Sequence, residues 1–161
     1  MRAISLLIVL MPNLLGAGCR PFTRAADQST QSAFLSQFSF QRTAWGVKAG
    51  GIDCQVSGAG NGMAATAGTG PGGITHSQTT TISCEVHGSA GVDESEVLHS
   101  LKSDVEKQIQ DSGARILGSG FGSDRFHIDY VDGSIRGRVV ISGQPGERYY
   151  SLTASVDETN K

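Results

Sequence analysis

Hydrophobic and polar residues alternate along much of the second half of the chain, and this period of two predicts β-strands. In three segments, 126–131, 135–141 and 150–156, an apolar residue or a glycine occupies every second position. Successive side chains of a strand point to opposite faces, so each segment would bury one face and expose the other. These segments therefore predict a meander of half-buried strands.

Turn-forming residues indicate where these strands end. Residues 132–133, an Asp-Gly pair, are a strong signal for a tight hairpin between the first two segments. The Gly-Gln-Pro-Gly run at 143–146 predicts a second turn. A shorter strand is predicted at residues 116–117, and we expect it to end in the Gly-Ser-Gly run at 118–120.

Two earlier segments repeat one pattern, I-x-C-x-V-x-G, at residues 52–58 and 82–88. Both alternate apolar and polar positions, so both are predicted to be strands, and we expect them to pair antiparallel. If the cysteines of the two segments face each other, Ile52 lies opposite Val86.

A helical period replaces the period of two between Val97 and Ile109. Five apolar residues fall on one face of this segment: Val97, Leu98, Leu101, Val105 and Ile109. Asp93 and Glu96 have the spacing of a capping box, which satisfies the free backbone N–H groups at a helix start. Gly113 supplies the residue type that ends helices in a left-handed conformation. The pattern predicts one amphipathic helix.

An aromatic-rich stretch at residues 34–47 precedes the first predicted strand. It holds three of the six phenylalanines and the only tryptophan: Phe34, Phe38, Phe40 and Trp45. We interpret the stretch as a first element docked on the core, since large aromatic side chains dominate core burial. The alternative is an exposed binding face.

The combined pattern predicts an α+β fold. We expect an antiparallel sheet of about five to six strands, in the order β-β-α-β-meander, with the amphipathic helix packed on one face. Between the two cysteine-bearing strands, residues 58–73 are rich in Gly, Ala and Thr, and we predict a mobile loop there. Residues 68–73 match G-x-G-x-x-G, but no helix pattern follows, so no nucleotide site is predicted.

The first residues are unlike the rest of the chain. Arg2 is the only charged residue before Arg20, and residues 4–10 are apolar or small without interruption. A basic start, a short apolar run and a small-residue end are typical of a signal peptide. A membrane-spanning helix needs about 20 mostly apolar residues, whereas Pro12 interrupts this shorter stretch. A retained anchor is the weaker alternative.

The end of this leader, Leu-Gly-Ala-Gly-Cys at residues 15–19, resembles the lipobox of bacterial lipoproteins. Gly16 holds the place where that family usually has Leu. The resemblance implies a signal peptide at 1–18, removed on export, and a lipid-modified Cys19 at the new N-terminus. A polar tether would then occupy 19–33 and a single domain 34–161. An ordinary signal peptide, giving a secreted protein without lipid, remains the alternative.

The same resemblance implies a location in the cell envelope, with the membrane reached through the N-terminal lipid. Arg20 follows the cysteine where Asp commonly retains lipoproteins in the inner membrane, so the outer membrane is favoured if the cell is Gram-negative. Without its leader the chain keeps 12 Lys and Arg against 15 Asp and Glu, since Arg2 is the leader's only charge. This balance argues against nucleic acid as a partner. An envelope protein is the candidate partner.

Cys54 and Cys84 occupy matched positions in the two repeated segments. In an oxidising compartment such a pair predicts a disulfide. Two buried free thiols are an alternative, and so are metal ligands, because Cys84 and His87 have ligand-like spacing. A strand would put those two side chains on opposite faces, so we assign no metal site and no cofactor.

His127 and Asp129 are predicted on one face of a strand, and Arg136 and Arg138 on the same face of its neighbour. We interpret these four residues as a candidate polar binding face, and assign no catalytic residue. The principal hypothesis is a non-catalytic envelope lipoprotein that acts as a binding or structural module. The alternative is an envelope enzyme with an acid–base site around His127 and Asp129.

Overall fold

The computed structural model describes residues 31–44, 46–54, 63–70, 73–86 and 91–160. The elements of this part of the chain are α1 (Ala33–Gln37), α2 (Phe40–Ala44), β1 (Ile52–Asp53), β2 (Met63–Gly70), β3 (Gly73–Val86), α3 (Glu94–Asp111), β4 (Arg115–Phe121), β5 (Arg125–Asp132), β6 (Ile135–Pro145) and β7 (Tyr149–Asn160). The predicted leader, Cys19 and most of the predicted tether lie outside the described residues, as do Trp45 and His87.

The described strands form one antiparallel sheet. Its order is β1-β3-β7-β6-β5-β4, and β2 also pairs with β3. Strands β4 to β7 form a meander, and β7 returns to pair with the long β3. The prediction of an α+β fold dominated by an antiparallel sheet is therefore confirmed.

The two repeated segments pair as expected at the residues that the structure describes, whereas residues 55–58 and 87–88 of the repeats lie outside that part of the chain. β1 and β3 are antiparallel, with Ile52 opposite Val86 and Asp53 opposite Glu85. This register brings Cys54, the residue after β1, close enough to Cys84 for a disulfide. The alternation of apolar and polar residues in the sequence is therefore enough to predict that β1 pairs with β3.

Inward positions of the strands follow the predicted alternation. In β7 every second residue from Tyr150 to Glu158 is buried, and β5 and β6 show the same period. The five apolar residues of α3 are each 0–1% exposed and belong to the same core cluster as the inward residues of the sheet. The aromatic residues Phe34, Phe38 and Phe40 of the first helices are also buried in that cluster.

The predicted loop at 58–73 is wrong over residues 63–70, which form β2. The register runs from Met63 opposite Thr80 to Gly70 opposite Gly73. Pairing with β3 satisfies backbone N–H and C=O groups and does not require large side chains, so a Gly/Ala/Thr sequence can form a strand. Residues 58–62 and 71–72 lie outside the described part of the chain.

Three strand ends also differ from the predictions. β4 does not stop at Gly118 but continues to Phe121, with a bulge between Ile116 and Gly118. β6 continues to Pro145, so the turn before β7 comes later than residues 143–146. The β5–β6 turn lies at residues 133–134 rather than 132–133. In each case pairing with a neighbouring strand outweighs the local preference of Gly.

The ends of α3 lie where the sequence predicts them, although only half of the predicted capping box forms, because the Asp93 N–H donates to the Gly50 carbonyl and Glu96 accepts from the Gly50 N–H. The Asp93 side chain accepts a hydrogen bond from the backbone N–H of Glu96, and Gly113 just beyond the helix has a φ of 88°. The residues 94–111 between these caps include the predicted apolar stripe. Among the described residues, no helix is long and apolar enough to cross a membrane.

Candidate functional site

A row of polar side chains crosses the outer face of the sheet. Arg138 of β6 binds Asp129 of β5 through two hydrogen bonds, with Nε–Oδ1 at 2.6 Å and Nη2–Oδ2 at 3.0 Å. On its other side Arg138 pairs in register with Asp157 of β7. Asp157 in turn accepts a 2.6 Å hydrogen bond from the Ser77 hydroxyl of β3. Four neighbouring strands thus contribute one ordered polar row.

The guanidinium of Arg138 holds the pKa of the Asp129 carboxyl below its ordinary value, mainly through the hydrogen bonds and less through its charge. Nearby His127 lowers the same pKa slightly. Asp129 therefore stays ionised and paired at neutral pH. A carboxylate held in this way is a fixed negative charge and not a proton donor at neutral pH.

His127 lies on the same face, half-buried, where it packs on a neighbouring glycine. A Cβ atom on Gly120 would come within 2.7 Å of the His127 ring. Arg136 is exposed, and it lines a shallow cavity of about 330 Å³ together with Asp129 and Arg138. The structure therefore brings all four predicted residues to one face, with Asp129 and Arg138 joined directly.

A second polar cluster, which the sequence pattern did not predict, lies inside the domain around Glu158. This residue of β7 is 1% exposed. Its carboxyl group accepts hydrogen bonds from the Ser32 backbone N–H at 3.0 Å, from the Ser32 hydroxyl and from the Tyr130 hydroxyl. Three donors therefore compensate for the loss of water around this buried group.

Tyr130 reaches Glu158 across a strand. Tyr130 is on β5 and Glu158 on β7, and Gly137 of β6 lies between them in the same cross-strand row. A Cβ atom on Gly137 would be 2.1 Å from Cζ of Tyr130, so the ring occupies the space that a side chain would fill. Burial, and secondarily the hydrogen bond to Glu158, raises the pKa of Tyr130 well above its ordinary value.

The cluster holds the start of the described chain against the sheet. The Ser32 hydroxyl also accepts a 2.9 Å hydrogen bond from the Leu35 N–H and so caps α1. Gln31 Nε2 lies 3.4 Å from Nδ1 of His76, and the Ala33 N–H donates to Asp132 at 3.2 Å. Residues 31–33, the last residues of the predicted tether, are therefore bound to three strands.

One signal in the sequence could have located this cluster. Continuing the alternation of β7 beyond Val156 puts Glu158 on the inward face. Acidic side chains are almost never fully buried without partners, so a buried Glu158 predicts that hydrogen-bond donors lie nearby. The donors come from Ser32 and Tyr130, which are distant in the sequence, and periodicity gives no information about such pairs.

A groove lies where α1 and α2 meet the end of α3. Its volume is about 530 Å³, within the range of small-molecule pockets. Phe34 and Phe38 line the groove together with Arg42, Gln108 and Asp111. No convergent set of reacting groups is present among these residues, so the groove offers shape and polarity but no evident chemistry.

The edge of the sheet at β4 carries exposed apolar side chains. Leu117 is 49% exposed and Phe121 44% exposed. The Phe121 ring lies 4.2 Å from the His99 ring of α3, measured between centroids, and Nζ of Lys102 lies 5.7 Å from the centroid of Phe121. His99 of α3 therefore forms part of an aromatic patch with Phe121.

Cys54 and Cys84 form a disulfide. Their sulfur atoms are 2.00 Å apart, the Cα atoms are 4.3 Å apart, and both residues are 0% exposed. The prediction of a disulfide is confirmed, and it excludes free thiols and metal ligation by this pair. Within the described ranges, no three His, Cys, Asp or Glu side chains lie together in a way that could hold a metal ion.

Comparisons with protein-family models, curated proteins and solved structures found no match to this chain.

Proposed function

We propose that this chain is an exported envelope lipoprotein, anchored through Cys19, whose single domain is a non-catalytic binding module. The leader and the lipobox-like sequence at 15–19 support the anchor. The Cys54–Cys84 disulfide supports export, because such bonds persist mainly in oxidising compartments. The membrane is then one partner of the protein, through its lipid, and an envelope protein is the other.

The ordered polar row on the outer face is the observation that carries the binding role. Asp129 and Arg138 are fixed by two hydrogen bonds to each other, and Ser77 fixes Asp157 in the same row. A partner would meet charges whose positions are already set, so it would lose little side-chain entropy on binding. Recognition of a polar protein surface suits this face better than proton transfer does.

The Glu158 cluster supports display from a membrane. Residues 31–33 are bound to the sheet immediately after the proposed tether. A lipid at Cys19 would therefore be joined to the domain by a short segment that ends at a fixed place, beside the β5–β6 turn. The length of this segment limits how far the domain can lie from its anchor.

We also infer that α3 covers the inner face of the sheet. Support comes from Val97, Leu101 and Val105, which are each 0% exposed and share one core cluster with the inward residues of the strands. Leu101→Ala should lower the free energy of unfolding by about 2–5 kcal/mol. Ser103→Ala, on the exposed side of the same helix, is the matched control. Equal stability of the two variants would contradict this packing.

Mass spectrometry of the mature protein tests the anchor. The expected protein is found with membranes, begins at Cys19 and carries the mass of acyl chains. Cys19→Ser should abolish the acylation and release the protein from membranes, since stable anchoring needs more than one acyl chain. A mature N-terminus elsewhere, without added lipid mass, would contradict the lipoprotein and favour a secreted protein.

A double substitution separates binding from catalysis. In His127→Ala with Asp129→Asn the polar row loses the carboxylate that binds Arg138, so capture of the envelope partner should weaken while the fold persists. Glu147→Gln with Arg148→Ala changes two exposed residues elsewhere and is the matched control. If the first variant retained full partner capture and lost a measurable turnover, the enzyme alternative would replace the binding module.

A further inference from the structure

The outer side of β4 is a strand edge that carries exposed apolar side chains. β4 is terminal in the sheet order, and in the described part of the chain no strand pairs with its outer side. Among the described residues, Leu117 and Phe121 are two of the three exposed large hydrophobic residues, and the third is Tyr149. We call the outer side of β4, with the adjacent His99 and Lys102 of α3, the β4 edge.

The backbone of the β4 edge is accessible. Three of the seven residues of β4 need little space, because Gly118, Ser119 and Gly120 have small side chains or none. A Cβ atom added at Gly118 would meet nothing within 4 Å. An added strand could therefore approach closely and use the free N–H and C=O groups of an edge strand.

The charges of the β4 edge are positive. Arg115 is exposed at the start of the strand and forms no ion pair with another described residue. Lys102 lies over the Phe121 ring at the other end, although it also pairs with Glu106. β4 itself contains no acidic residue. A partner with carboxylates and apolar side chains would match both properties.

At the other edge of the sheet, β3 pairs with β1, which has only two residues, and with the longer β2, which is chemically different from β4. β2 has the sequence Met-Ala-Ala-Thr-Ala-Gly-Thr-Gly and contributes no charged residue and no aromatic residue. A strand that paired with β2 would meet no charged or aromatic side chain of that strand. Specificity in strand addition comes from pockets for alternate side chains, so β2 offers little selectivity for one sequence over another. The β4 edge supplies such contacts, and β2 does not.

We propose that the β4 edge binds an extended, acidic segment of a partner protein by strand addition, with an apolar side chain against Phe121 and a carboxylate near Arg115. The proposal rests on the binding-module function and names the partner chemistry for it. Main-chain hydrogen bonds give such binding its affinity. The aromatic patch and Arg115 give it selectivity for acidic over basic segments.

A pair of synthetic peptides tests this proposal. The first is an acetylated and amidated peptide of about eight alternating Val and Glu residues, long enough to span a strand of this length. The second has Lys in place of every Glu. Each is titrated into the isotope-labelled chain, with or without its lipid, and amide chemical shifts are recorded by NMR. Because lipid is not needed, failure of the anchor leaves this measurement intact.

Binding of the acidic peptide should shift the amides of β4 first and should be about tenfold tighter than binding of the basic peptide. Phe121→Ala should weaken it about tenfold, and Arg115→Glu should remove the preference for acid. Tyr149→Ala and Arg148→Glu, which alter an exposed aromatic residue and an exposed cation elsewhere, are the matched controls and should bind like the parent chain.

Three outcomes would overturn the proposal. They are equal binding of the acidic and basic peptides, shifts centred on β2 or on the outer polar row, and self-association through β4 detected by sedimentation in the absence of peptide. Arg115→Glu changes an exposed residue and should fold normally. The comparison of acidic and basic peptides on this variant therefore remains valid even if Phe121→Ala is unstable.

Discussion

Tyr130 donates a hydrogen bond to Glu158 two strands away, and it can do so because the residue between them is Gly137. The ring lies over the glycine, and the hydroxyl meets the carboxyl beyond it. Tyr150 lies over Gly143 in a similar way, since a Cβ there would be 1.7 Å from its hydroxyl oxygen. In both places an inward glycine makes room for a buried tyrosine.

The first prediction concerns Gly137. In Gly137→Ala the new Cβ would lie 2.1 Å from Cζ of Tyr130 and would overlap its ring. The ring has little room to move, because it is enclosed by the core. We expect the free energy of unfolding to fall by about 1–3 kcal/mol or more, as overpacked cores show. Urea unfolding followed by circular dichroism measures this change.

Gly118→Ala is the control for that substitution. It also adds one methyl group to a strand of the same sheet, but the new Cβ would meet nothing within 4 Å. Its stability should equal or slightly exceed that of the parent chain, since Ala restricts the unfolded backbone more than Gly does. Equal losses at the two glycines would show that the contact with Tyr130 is not the cause.

The second prediction compares the two buried tyrosines. Tyr130→Phe removes one of three donors to the buried Glu158 carboxyl and should cost about 1–3 kcal/mol of stability. The hydroxyl of Tyr150 has no hydrogen-bond partner in the described structure. Tyr150→Phe should therefore be neutral or stabilising. Urea unfolding of both variants at neutral pH provides the comparison.

A loss of stability in Tyr150→Phe as large as that in Tyr130→Phe would mean that the Tyr150 hydroxyl also has a partner, such as a buried water. Equal, negligible losses would mean that the hydrogen bond to Glu158 contributes no net stability. Because both substitutions remove one oxygen atom from an enclosed ring, the difference between them isolates the effect of the partner.

Much of the sheet and its helix could be predicted from periodicity, because one face of each element is buried. The inward residues of β5, β6 and β7 and the stripe of α3 follow directly from periods of two and of 3.6. β2 could not be predicted, since its residues have low strand preference and its stability depends on pairing with β3.

The two polar sites also differ in whether the sequence could predict them. Asp129 and Arg138 could be placed together because the hairpin that joins their strands is short. The Glu158 cluster could not be predicted, because its donors Ser32 and Tyr130 lie 126 and 28 residues away in the sequence. Only the three-dimensional register of β5, β6 and β7 brings Tyr130 to Glu158, and only the docking of α1 adds Ser32.

The third prediction concerns the attachment of α1. Ser32→Ala removes the N-cap of α1 and one of the hydrogen bonds to Glu158, so α1 should detach from the sheet more readily. We expect a loss of about 1–3 kcal/mol and faster amide hydrogen exchange in α1 than in β7. Ser36→Ala, whose exposed hydroxyl donates only to the Ala33 carbonyl, is the matched control.

Exchange that accelerates equally throughout the sheet would argue against local detachment and for global destabilisation. If Ser32→Ala had no effect on stability or exchange, residues 31–33 would be held by Gln31, Ala33 and the backbone N–H of residue 32, without a contribution from the Ser32 hydroxyl. The stability lost in the combined Ser32→Ala and Tyr130→Phe variant should differ from the sum of the two single losses. The losses are not additive because both residues donate to the same carboxyl oxygen.

The fourth prediction concerns alkaline pH. Burial raises the pKa of Tyr150 to about 12, whereas an unfolded tyrosine titrates near about 10. The folded protein therefore keeps its proton where the unfolded chain has lost it. The stabilising contribution is complete below pH about 10 and is lost as the pH rises through about 12.

Tyr150→Phe should consequently lose less stability than the parent chain between pH about 10 and about 12. Urea unfolding at pH 8, 10 and 11 measures the difference directly. The two proteins should show parallel pH profiles below about pH 9, where tyrosine is protonated in both states. Parallel profiles throughout the alkaline range would contradict a raised pKa at this residue.

The fifth prediction concerns the disulfide, which joins residues 30 positions apart in the sequence. Closing a loop of that length restricts the unfolded chain, and chain-entropy estimates give about 3.7 kcal/mol of stabilisation. The double variant Cys54→Ala with Cys84→Ala should lose stability of this order. Because both positions are fully buried, the small Ala side chains should also keep the sites apolar.

Reductant provides the internal control for this prediction. Reduction should destabilise the parent chain by a similar amount and leave the double variant unchanged, since that variant has no disulfide to reduce. β1, a strand of two residues that pairs only with the end of β3, should lose its amide protection first. If the reduced chain kept both its stability and the amide protection of β1, the disulfide would contribute no measurable stability to the fold. Its presence would then indicate only that the protein is in an oxidising compartment.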